Sequence, residues 1–250
     1  PVMYVTEDTT RSRPETLERL YSAAIDRNVE RVCISDTVGH ATPAGAETVT
    51  RFIRSLVTRS GKPIGVDWHG HRDRDVAVAN SIAAFYAGAD RIHGSMLGIG
   101  ERVGNTPIDM LMVNFKLMGL FDRDLTRLPA YARRVSEVCR VPVPDNYPVL
   151  GRDAFRTQTG VHADAIVKAY KKGDAWLANR IYSGVPADEF GLEQVIEVGP
   201  MSGKSNVRYW LESRSLPADD ALVDRIFGRA KQLDRILTDD EIRTIMREGE

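Results

Sequence analysis

Residues 66–105 read VDWHGHRDRDVAVANSIAAFYAGADRIHGSMLGIGERVGN, and they contain the clearest strand, helix, strand and loop pattern of the chain. It begins within an apolar run, Pro63 to Trp68, which is typical of a buried β-strand. His69 and His71 follow two residues apart, so in an extended strand both imidazoles lie on the same face. Neutral imidazole is the commonest metal ligand in proteins. The pair is therefore a candidate site for one divalent ion, and a polar surface loop is the plain alternative.

The rest of this stretch predicts a helix, a further strand and a glycine-rich loop. Apolar residues recur at helical spacing over about 75–87, and Gly88 ends the pattern. A strand is expected over 91–95. The chain then enters the loop from Gly98 to Asn105, which contains three glycines.

The same alternation runs through the first 120 or so residues. Strands are expected at about 2–6, 31–35, 63–69 and 91–95, and helices at about 15–26, 42–58, 75–87 and 107–118. Alternation of this kind predicts βαβ units on a parallel sheet. Polar residues follow every strand, at 7–11, 36–39, 69–73 and 98–105. Because parallel α/β folds place their sites at the carboxyl ends of the strands, these four segments are expected to meet at one mouth.

The pattern changes from Asp122 onward. A helix is expected over 126–139, followed by a stiff Pro-containing connector at 141–144. Beyond a loop, further helices are expected at about 160–170, 204–211, 218–233 and 238–247, with a short strand at 193–198. The last helix begins with a capping box from Thr238 to Glu241.

Composition excludes several classes of protein. The chain has 34 Lys and Arg against 35 Asp and Glu, so nothing favours binding to nucleic acid or to an anionic membrane. It contains no apolar run long enough to span a bilayer. Cys33 and Cys139 lie in apolar periodic segments and are expected to be buried free thiols. Without a disulfide framework, the cytoplasm is the expected compartment.

Three motifs together carry a family resemblance: Asp36-Thr-Val-Gly39, His69-x-His71 and the loop from Gly98 to Asn105. The chain resembles the 2-isopropylmalate synthase and homocitrate synthase family, metal-dependent condensing enzymes whose superfamily also contains hydroxymethylglutaryl-CoA lyase. The resemblance continues through Ala79-Asn-Ser81, Thr159-Gly-Val-His162 and Ser202-Gly203, and so covers nearly the whole chain.

The resemblance implies an α/β fold, a (β/α)8 TIM barrel followed by small, mostly helical subdomains. Residues 1–121 correspond to the second half of the barrel, strands 5–8. Residues 122–150 correspond to the barrel-end helix and linker, and residues 151–250 to helical subdomains that close the active site. The family's strand-one motif, which supplies a carboxylate metal ligand and an Arg, has no match here. We therefore expect the chain to be the C-terminal part of a protein longer by roughly 100–150 residues, which leaves open that the isolated chain is inactive.

The implied activity is that of an acyltransferase. It would condense acetyl-CoA with a 2-oxo acid, foremost 2-oxoisovalerate to give 2-isopropylmalate in leucine biosynthesis. Homocitrate synthase, citramalate synthase, and a metal-dependent lyase or aldolase of the same superfamily are the alternatives. The implied cofactor is a divalent metal ion, Mg²⁺, Mn²⁺ or Zn²⁺, with acetyl-CoA as co-substrate. The implied assembly is a homodimer in which the His162 region reaches the partner's barrel.

The resemblance also assigns roles to residues. His69 and His71 are the implied metal ligands, and Asn105 lies close to the metal and the substrate. Thr37 is expected to contact the carboxylate of the 2-oxo acid, and Glu7 to line its side-chain pocket. His162 is the candidate acid/base, with Glu7 as a second candidate catalytic residue.

Each role has a plainer alternative. The Thr37 hydroxyl could cap a backbone N–H at a strand end. Glu7 could pair with Arg11 on the surface. Glu101 and Arg102 are expected to form a structural ion pair that holds the loop.

Other positions are expected to be structural, or depart from the family. His162 could be only a helix-start residue, and His40 and His93 match no family motif and are expected to be structural. Arg72 and Asp75 stand where the family has Asn and Gly, which changes the charge beside the His pair.

Overall fold

The computed structural model describes residues 1–248, which form two compact units. The first comprises Pro1–Arg123 and Ala132–Pro142, and the second comprises Asp124–Tyr131 and the chain from Val143 onward. No helix in the described chain is both long and apolar enough to cross a membrane.

The first unit alternates strands and helices as the sequence predicts. Its elements are β1 (Met3–Val5), α1 (Pro14–Asp26), β2 (Arg31–Asp36), α2 (Pro43–Ser60), β3 (Gly65–Gly70), α3 (Ala77–Tyr86), β4 (Arg91–His93) and α4 (Ile108–Leu117). Short 3₁₀ turns at Thr9–Arg11 and Met96–Gly98 follow β1 and β4. The helix α5 (Leu128–Cys139) comes next in the chain.

The four strands form one parallel sheet in the order β1-β2-β3-β4, which confirms the expected α/β class. This is half the strand number of a closed (β/α)8 barrel. The register aligns Cys33 with Asp67 and Asp67 with Arg91, and it aligns Ser35 with His69 and His69 with His93. Aligned residues of adjacent parallel strands share a face of the sheet.

The two faces of the sheet have opposite character. One face packs against α1, α2 and α3, and its largest side chains, Val32, Ile34, Val66 and Trp68, are fully buried in the core cluster. Full burial of each such side chain stabilises the fold by about 1.5–3 kcal/mol. The other face carries the polar register-aligned residues. The strict alternation along β3 therefore separates the apolar core from the candidate site.

Local conformation explains where α3 begins. The apolar pattern predicts a start near Asp75, but the helix begins at Ala77, two residues later. Asp75 has a φ of 56°, in the left-handed region that a helix cannot include. The resemblance places Gly at this position in the family, and Gly is the residue that adopts such a φ without a steric cost.

The second unit is mostly helical. Its elements are β5 (Arg156–Thr157), α6 (Gly160–Lys171), α7 (Ala175–Ala178), β6 (Val195–Ile196), α8 (Lys204–Glu212), α9 (Asp220–Lys231) and α10 (Asp239–Arg247). The strands β5 and β6 pair in parallel. The expected capping box is present, because Thr238 Oγ1 accepts from the Glu241 N–H and the Glu241 carboxylate accepts from the Thr238 N–H. The helix α7 is a single turn that the Asp174 side chain caps, and the sequence pattern does not predict it.

The expectation that both cysteines are buried is wrong for one of them. Cys33 is buried in β2, but Cys139 is exposed, and both thiols are free. The buried positions of α5, Leu128, Pro129 and Ala132, lie in its first half. Cys139 is the last residue of the helix, beyond this stripe, and the neighbouring Val138 is also exposed.

Candidate functional site

The carboxyl ends of the four strands lie along one edge of the sheet, because all the strands run in the same direction. His69 is the second-to-last residue of β3, and His71 is the first residue after the strand. Thr37 comes directly after β2, and Glu7 comes two residues after β1. The loop from Gly98 to Asn105 follows β4. The segments that the sequence predicts at one mouth are thus adjacent in space.

The two imidazoles of the His pair are neighbours. The ring centroids of His69 and His71 are 5.2 Å apart, with the ring planes at 85°. Asn105 forms an isolated antiparallel bridge with His71, which brings the end of the glycine-rich loop next to the pair. The structure therefore brings together the three residues expected around a metal.

The protonation and hydrogen bonding of the pair suit a cation. Burial, together with the nearby His71 and His93, lowers the pKa of His69, which favours the neutral form that binds metals. His71 is only 7% exposed, and within residues 1–248 its Nδ1 is buried without a hydrogen-bond partner. A buried polar atom without a partner is costly, and a bound cation would satisfy it. The residues present therefore fit a divalent metal.

Asn105 leaves its amide oxygen available. Its side-chain Nδ2 donates to the Ile99 carbonyl at 3.1 Å, which fixes the orientation of the amide. Oxygen is the atom that hard cations prefer. Within the described residues, no group of three or more His, Cys, Asp and Glu side chains suits a metal. The two imidazoles and the Asn105 amide oxygen therefore remain the candidate ligands, and their binding of a metal stays a prediction.

The glycine-rich loop needs its glycines. Gly104 has a φ of 112°, and a Cβ there would lie 1.8 Å from the Gly98 carbonyl oxygen. The Asn105 N–H donates to the same carbonyl at 2.9 Å. The two ends of the loop, at Gly98 and at Gly104, therefore lie in close contact. This contact sets where Asn105 lies relative to His71.

Thr37 has the backbone role that the plainer alternative describes. Its Oγ1 accepts a hydrogen bond from the Asp8 N–H at 2.8 Å. The hydroxyl proton has no acceptor among residues 1–248, so the group can still donate one hydrogen bond to an anion. The contact with a substrate carboxylate stays a prediction.

The plainer alternative for Glu7, a surface pair with Arg11, is not present in the described chain. Arg11 instead makes a bidentate pair with Asp8, with Nε–Oδ1 and Nη2–Oδ2 distances of 2.8 Å. Glu7 is exposed, and its carboxylate makes no ion pair in the described chain. Arg11 takes Asp8 because the 3₁₀ turn at Thr9–Arg11 brings these two residues together.

The expected ion pair between Glu101 and Arg102 is present, but Arg102 has a closer partner. The contact between Arg102 and Glu101 is long, at 3.9 Å, whereas Arg102 Nε is 2.7 Å from Asp73 Oδ1. Arg102 holds the loop, but through Asp73. The two departures from the family, Arg72 and Asp75, make a weak pair with each other at 3.3 Å.

Sequence reasoning missed a buried ionic cluster on the same face of the sheet. Asp67 is 0% exposed and accepts hydrogen bonds from Arg31 at 2.6 Å, Arg91 at 2.6 Å and His93 at 2.9 Å. The His93 ring also lies 5.9 Å from that of His69, between centroids. The sequence contains a sign of this cluster, because Asp67 is a charged residue within an apolar strand. It alternates with His69 and His71 and therefore lies on the same face of the strand. His93 is structural, as expected.

His162 belongs to the second unit. It lies in the first turn of α6, is exposed, and stacks on Tyr182 with 4.2 Å between ring centroids and 30° between planes. No pattern in the sequence indicates this partner. Stacking orients the imidazole without engaging its nitrogens, so they remain available for proton transfer. The role as acid/base stays a prediction.

Comparison with known proteins finds relatives over nearly the whole chain. Its residues 2–135 match the family model described as HMGL-like. The homocitrate synthase of Methanopyrus kandleri is 34% identical over 98% of this chain and 60% of its own length. The (R)-citramalate synthase of Methanocaldococcus jannaschii is 29% identical, over 97% of this chain and 48% of its own. The 2-isopropylmalate synthase of Pyrococcus abyssi is also 29% identical, over 99% and 51%.

The chain spans about half the length of the curated relatives it matches. Among solved structures, the HMG-CoA lyase of Bacillus subtilis superposes with a TM-score of 0.48 and 25% identity, over 57% of this chain and 50% of that one. The family match and the three kinds of synthase confirm the resemblance carried by the His pair and the glycine-rich loop. The chain belongs to the HMGL-like family.

Proposed function

We propose that the protein is an acyltransferase that condenses acetyl-CoA with a 2-oxo acid and uses a divalent metal ion. The observation that carries the proposal is the pair His69 and His71 at the carboxyl end of a parallel sheet, with the buried Nδ1 of His71 free for a ligand. The relatives support the same reaction class, since they are named as homocitrate, citramalate and 2-isopropylmalate synthases.

The site residues have distinct roles in this proposal. His69, His71 and the amide oxygen of Asn105 hold the metal, which when bound supplies Lewis-acid polarisation of the keto group. Thr37 donates its free hydroxyl proton to the carboxylate of the 2-oxo acid. Glu7 lines the pocket for the substrate side chain or acts as a base, and His162 transfers a proton as acid or base.

The finer assignment is 2-oxoisovalerate as the substrate and 2-isopropylmalate as the product, in leucine biosynthesis. We also propose that the protein is a cytoplasmic homodimer. In this dimer the His162 region of one subunit reaches the barrel of its partner. Homocitrate and citramalate synthases among the relatives make 2-oxoglutarate and pyruvate the competing substrates.

Release of free CoA tests the activity and the substrate together. The protein is incubated with acetyl-CoA, Mg²⁺ or Mn²⁺, and 2-oxoisovalerate, 2-oxoglutarate or pyruvate in turn. The proposal expects CoA release that depends on both the metal and 2-oxoisovalerate. Preference for another 2-oxo acid would overturn only the substrate assignment. Cleavage of a hydroxyacyl-CoA without condensation would overturn the reaction class in favour of a lyase.

Metal binding is tested separately, by titrating Mn²⁺ into the protein. His69→Ala and His71→Ala are expected to weaken binding by at least about tenfold, because loss of even an outer-sphere partner costs that much. His40→Ala is the matched control, since His40 is exposed and contacts Asp36 only through its backbone N–H. Unchanged Mn²⁺ affinity in both His-pair variants would remove the metal assignment.

A further inference from the structure

The side chain of Arg102 connects the loops that follow three different strands. Its Nε and Nη2 donate to the two carboxylate oxygens of Asp73, at 2.7 and 3.0 Å. Nη2 also donates to the backbone carbonyl of Thr37 at 2.7 Å. Thr37 follows β2, Asp73 follows β3 and Arg102 follows β4. We call Arg102, Asp73 and Thr37 the Arg102 clamp.

The Thr37 side chain connects the clamp to the loop that follows the remaining strand, β1. Thr37 Oγ1 accepts from the Asp8 N–H, so Thr37 is held from both sides, by Asp8 at its hydroxyl and by Arg102 at its carbonyl. The loops after β3 and β4 are also joined by the Arg72 N–H, which donates to the Gly104 carbonyl at 3.0 Å. One hydrogen-bonded chain therefore crosses the whole mouth.

The backbone of Arg102 indicates that its side-chain contacts hold it in place. Its φ is 55°, in the left-handed region where residues other than Gly, Asn and Asp are uncommon. Such a conformation persists when the surroundings fix it, and it is enriched at functional sites. Gly would adopt this φ more easily, but it would lose all three side-chain hydrogen bonds.

A surface ion pair alone would not explain the arrangement. The side chains of Arg102 and Asp73 are 40% and 25% exposed, and exposed pairs contribute little to stability. The distinctive contact is the hydrogen bond from Arg102 to the Thr37 carbonyl. It holds the backbone of the residue whose hydroxyl proton has no acceptor among residues 1–248. Only a planar guanidinium can engage a carboxylate with two bonds and a carbonyl with a third.

We propose that Arg102 is a positioning residue that orients Thr37 for the carboxylate of the 2-oxo acid. Arg102 fixes the Thr37 backbone relative to Asp73, and thereby fixes the Thr37 hydroxyl relative to His71 two residues before Asp73. The substrate part of this inference rests on the proposed function. The mechanical part concerns only the four loops.

A double-mutant cycle tests the substrate part. Arg102→Gln is expected to raise the KM for the 2-oxo acid about tenfold, the loss expected for one hydrogen bond to a charged group, with the KM for acetyl-CoA unchanged. Thr37→Val removes the hydroxyl at constant shape, and in this background Arg102→Gln is expected to have no further effect. Additive effects of the two substitutions would overturn the proposal.

Two further variants separate positioning from general disruption. Arg102→Lys keeps the charge but cannot make all three hydrogen bonds, so an intermediate KM is expected. Arg51→Gln is the matched control, because Arg51 makes an exposed ion pair with Glu47 on α2, outside the clamp. If Arg51→Gln raises the KM as much as Arg102→Gln, the proposal is overturned.

Amide hydrogen exchange tests the mechanical part without any activity. In Arg102→Gln, the amides of Asp8 and Arg72 are expected to exchange faster, while that of Val66 in β3 stays protected. Unchanged exchange at Asp8 and Arg72 would refute the clamp itself. Absence of condensing activity in the unaltered full-length protein, with faster exchange in the variant, would refute the proposed function and leave the clamp supported.

Discussion

Asp67→Asn is expected to destabilise the first unit strongly, because it removes a buried carboxylate and leaves its cationic partners behind. Asp67 is fully buried and bonded to Arg31, Arg91 and His93. Removing one partner of a buried ion pair costs about 3–5 kcal/mol. Arg31 and Arg91 are 27% and 52% exposed and can partly turn to water. We therefore expect the lower end, a loss of about 3 kcal/mol in the free energy of unfolding.

The assay is native-state amide hydrogen exchange in β2 and β3, which reads the opening of the first unit without contribution from the second. Glu47→Gln is the matched control, since Glu47 forms only an exposed pair with Arg51, and its effect is expected to stay within about 0.5 kcal/mol. A loss below about 1 kcal/mol for Asp67→Asn would refute the view that the carboxylate offsets its own burial through these three partners.

The pH dependence follows from the same contacts. Burial raises the pKa of Asp67, but the hydrogen bonds from Arg31, Arg91 and His93 outweigh it, so the folded pKa lies below the ordinary 3.8. The contribution of Asp67 to stability is then complete above that ordinary value and is lost as the pH falls through the lower, folded pKa. The stability difference between the parent protein and Asp67→Asn should therefore be constant near neutral pH and shrink in acid. A difference that grows on acidification would contradict this sign.

Three further substitutions test local features. Gly104→Ala, with its Cβ at 1.8 Å from the Gly98 carbonyl oxygen, is expected to cost about 2 kcal/mol or more by urea denaturation and to weaken Mn²⁺ binding; normal stability would contradict the loop geometry. Gly228→Ala in α9 meets no atom within 4 Å and is expected to stabilise the second unit by about 0.5–1 kcal/mol, measured by the same denaturation. Thr238→Ala removes the capping box with Glu241 and is expected to cost about 1 kcal/mol, seen as earlier loss of helical circular dichroism on heating.

The βα order and the placement of His69 and His71 could be predicted from the sequence, because both depend on local periodicity. Strand alternation fixes which residues share a face, and parallel strands fix which ends meet. The start of α3 could not be predicted as well, since the apolar pattern does not show that Asp75 takes a left-handed φ of 56° and so delays the helix.

Partners that are distant in sequence were harder to predict. Asp67 and Arg31 are separated by 36 residues, and Arg102 and Thr37 by 65, so only the tertiary fold decides that they pair. Short-range pairing was also hard to predict, because turns redirect long side chains. Arg11 pairs with Asp8 rather than with Glu7, and Arg102 keeps the predicted pair with Glu101 at 3.9 Å but makes its shorter contacts with Asp73. Cys139 was misassigned because an apolar neighbourhood in sequence does not extend a buried stripe to the end of a helix.

The alternation along β3 also protects the candidate site against misfolding. A slip of one residue in the pairing of β3 would turn Asp67 and His69 into the apolar core and expose Val66 and Trp68. Burying a carboxylate and an imidazole among hydrocarbon would cost far more than the slipped strand could regain. A sheet with this shifted register would thus be unstable, so it would not accumulate as a folded but inactive protein. The sheet that folds is therefore also the sheet that presents the His pair.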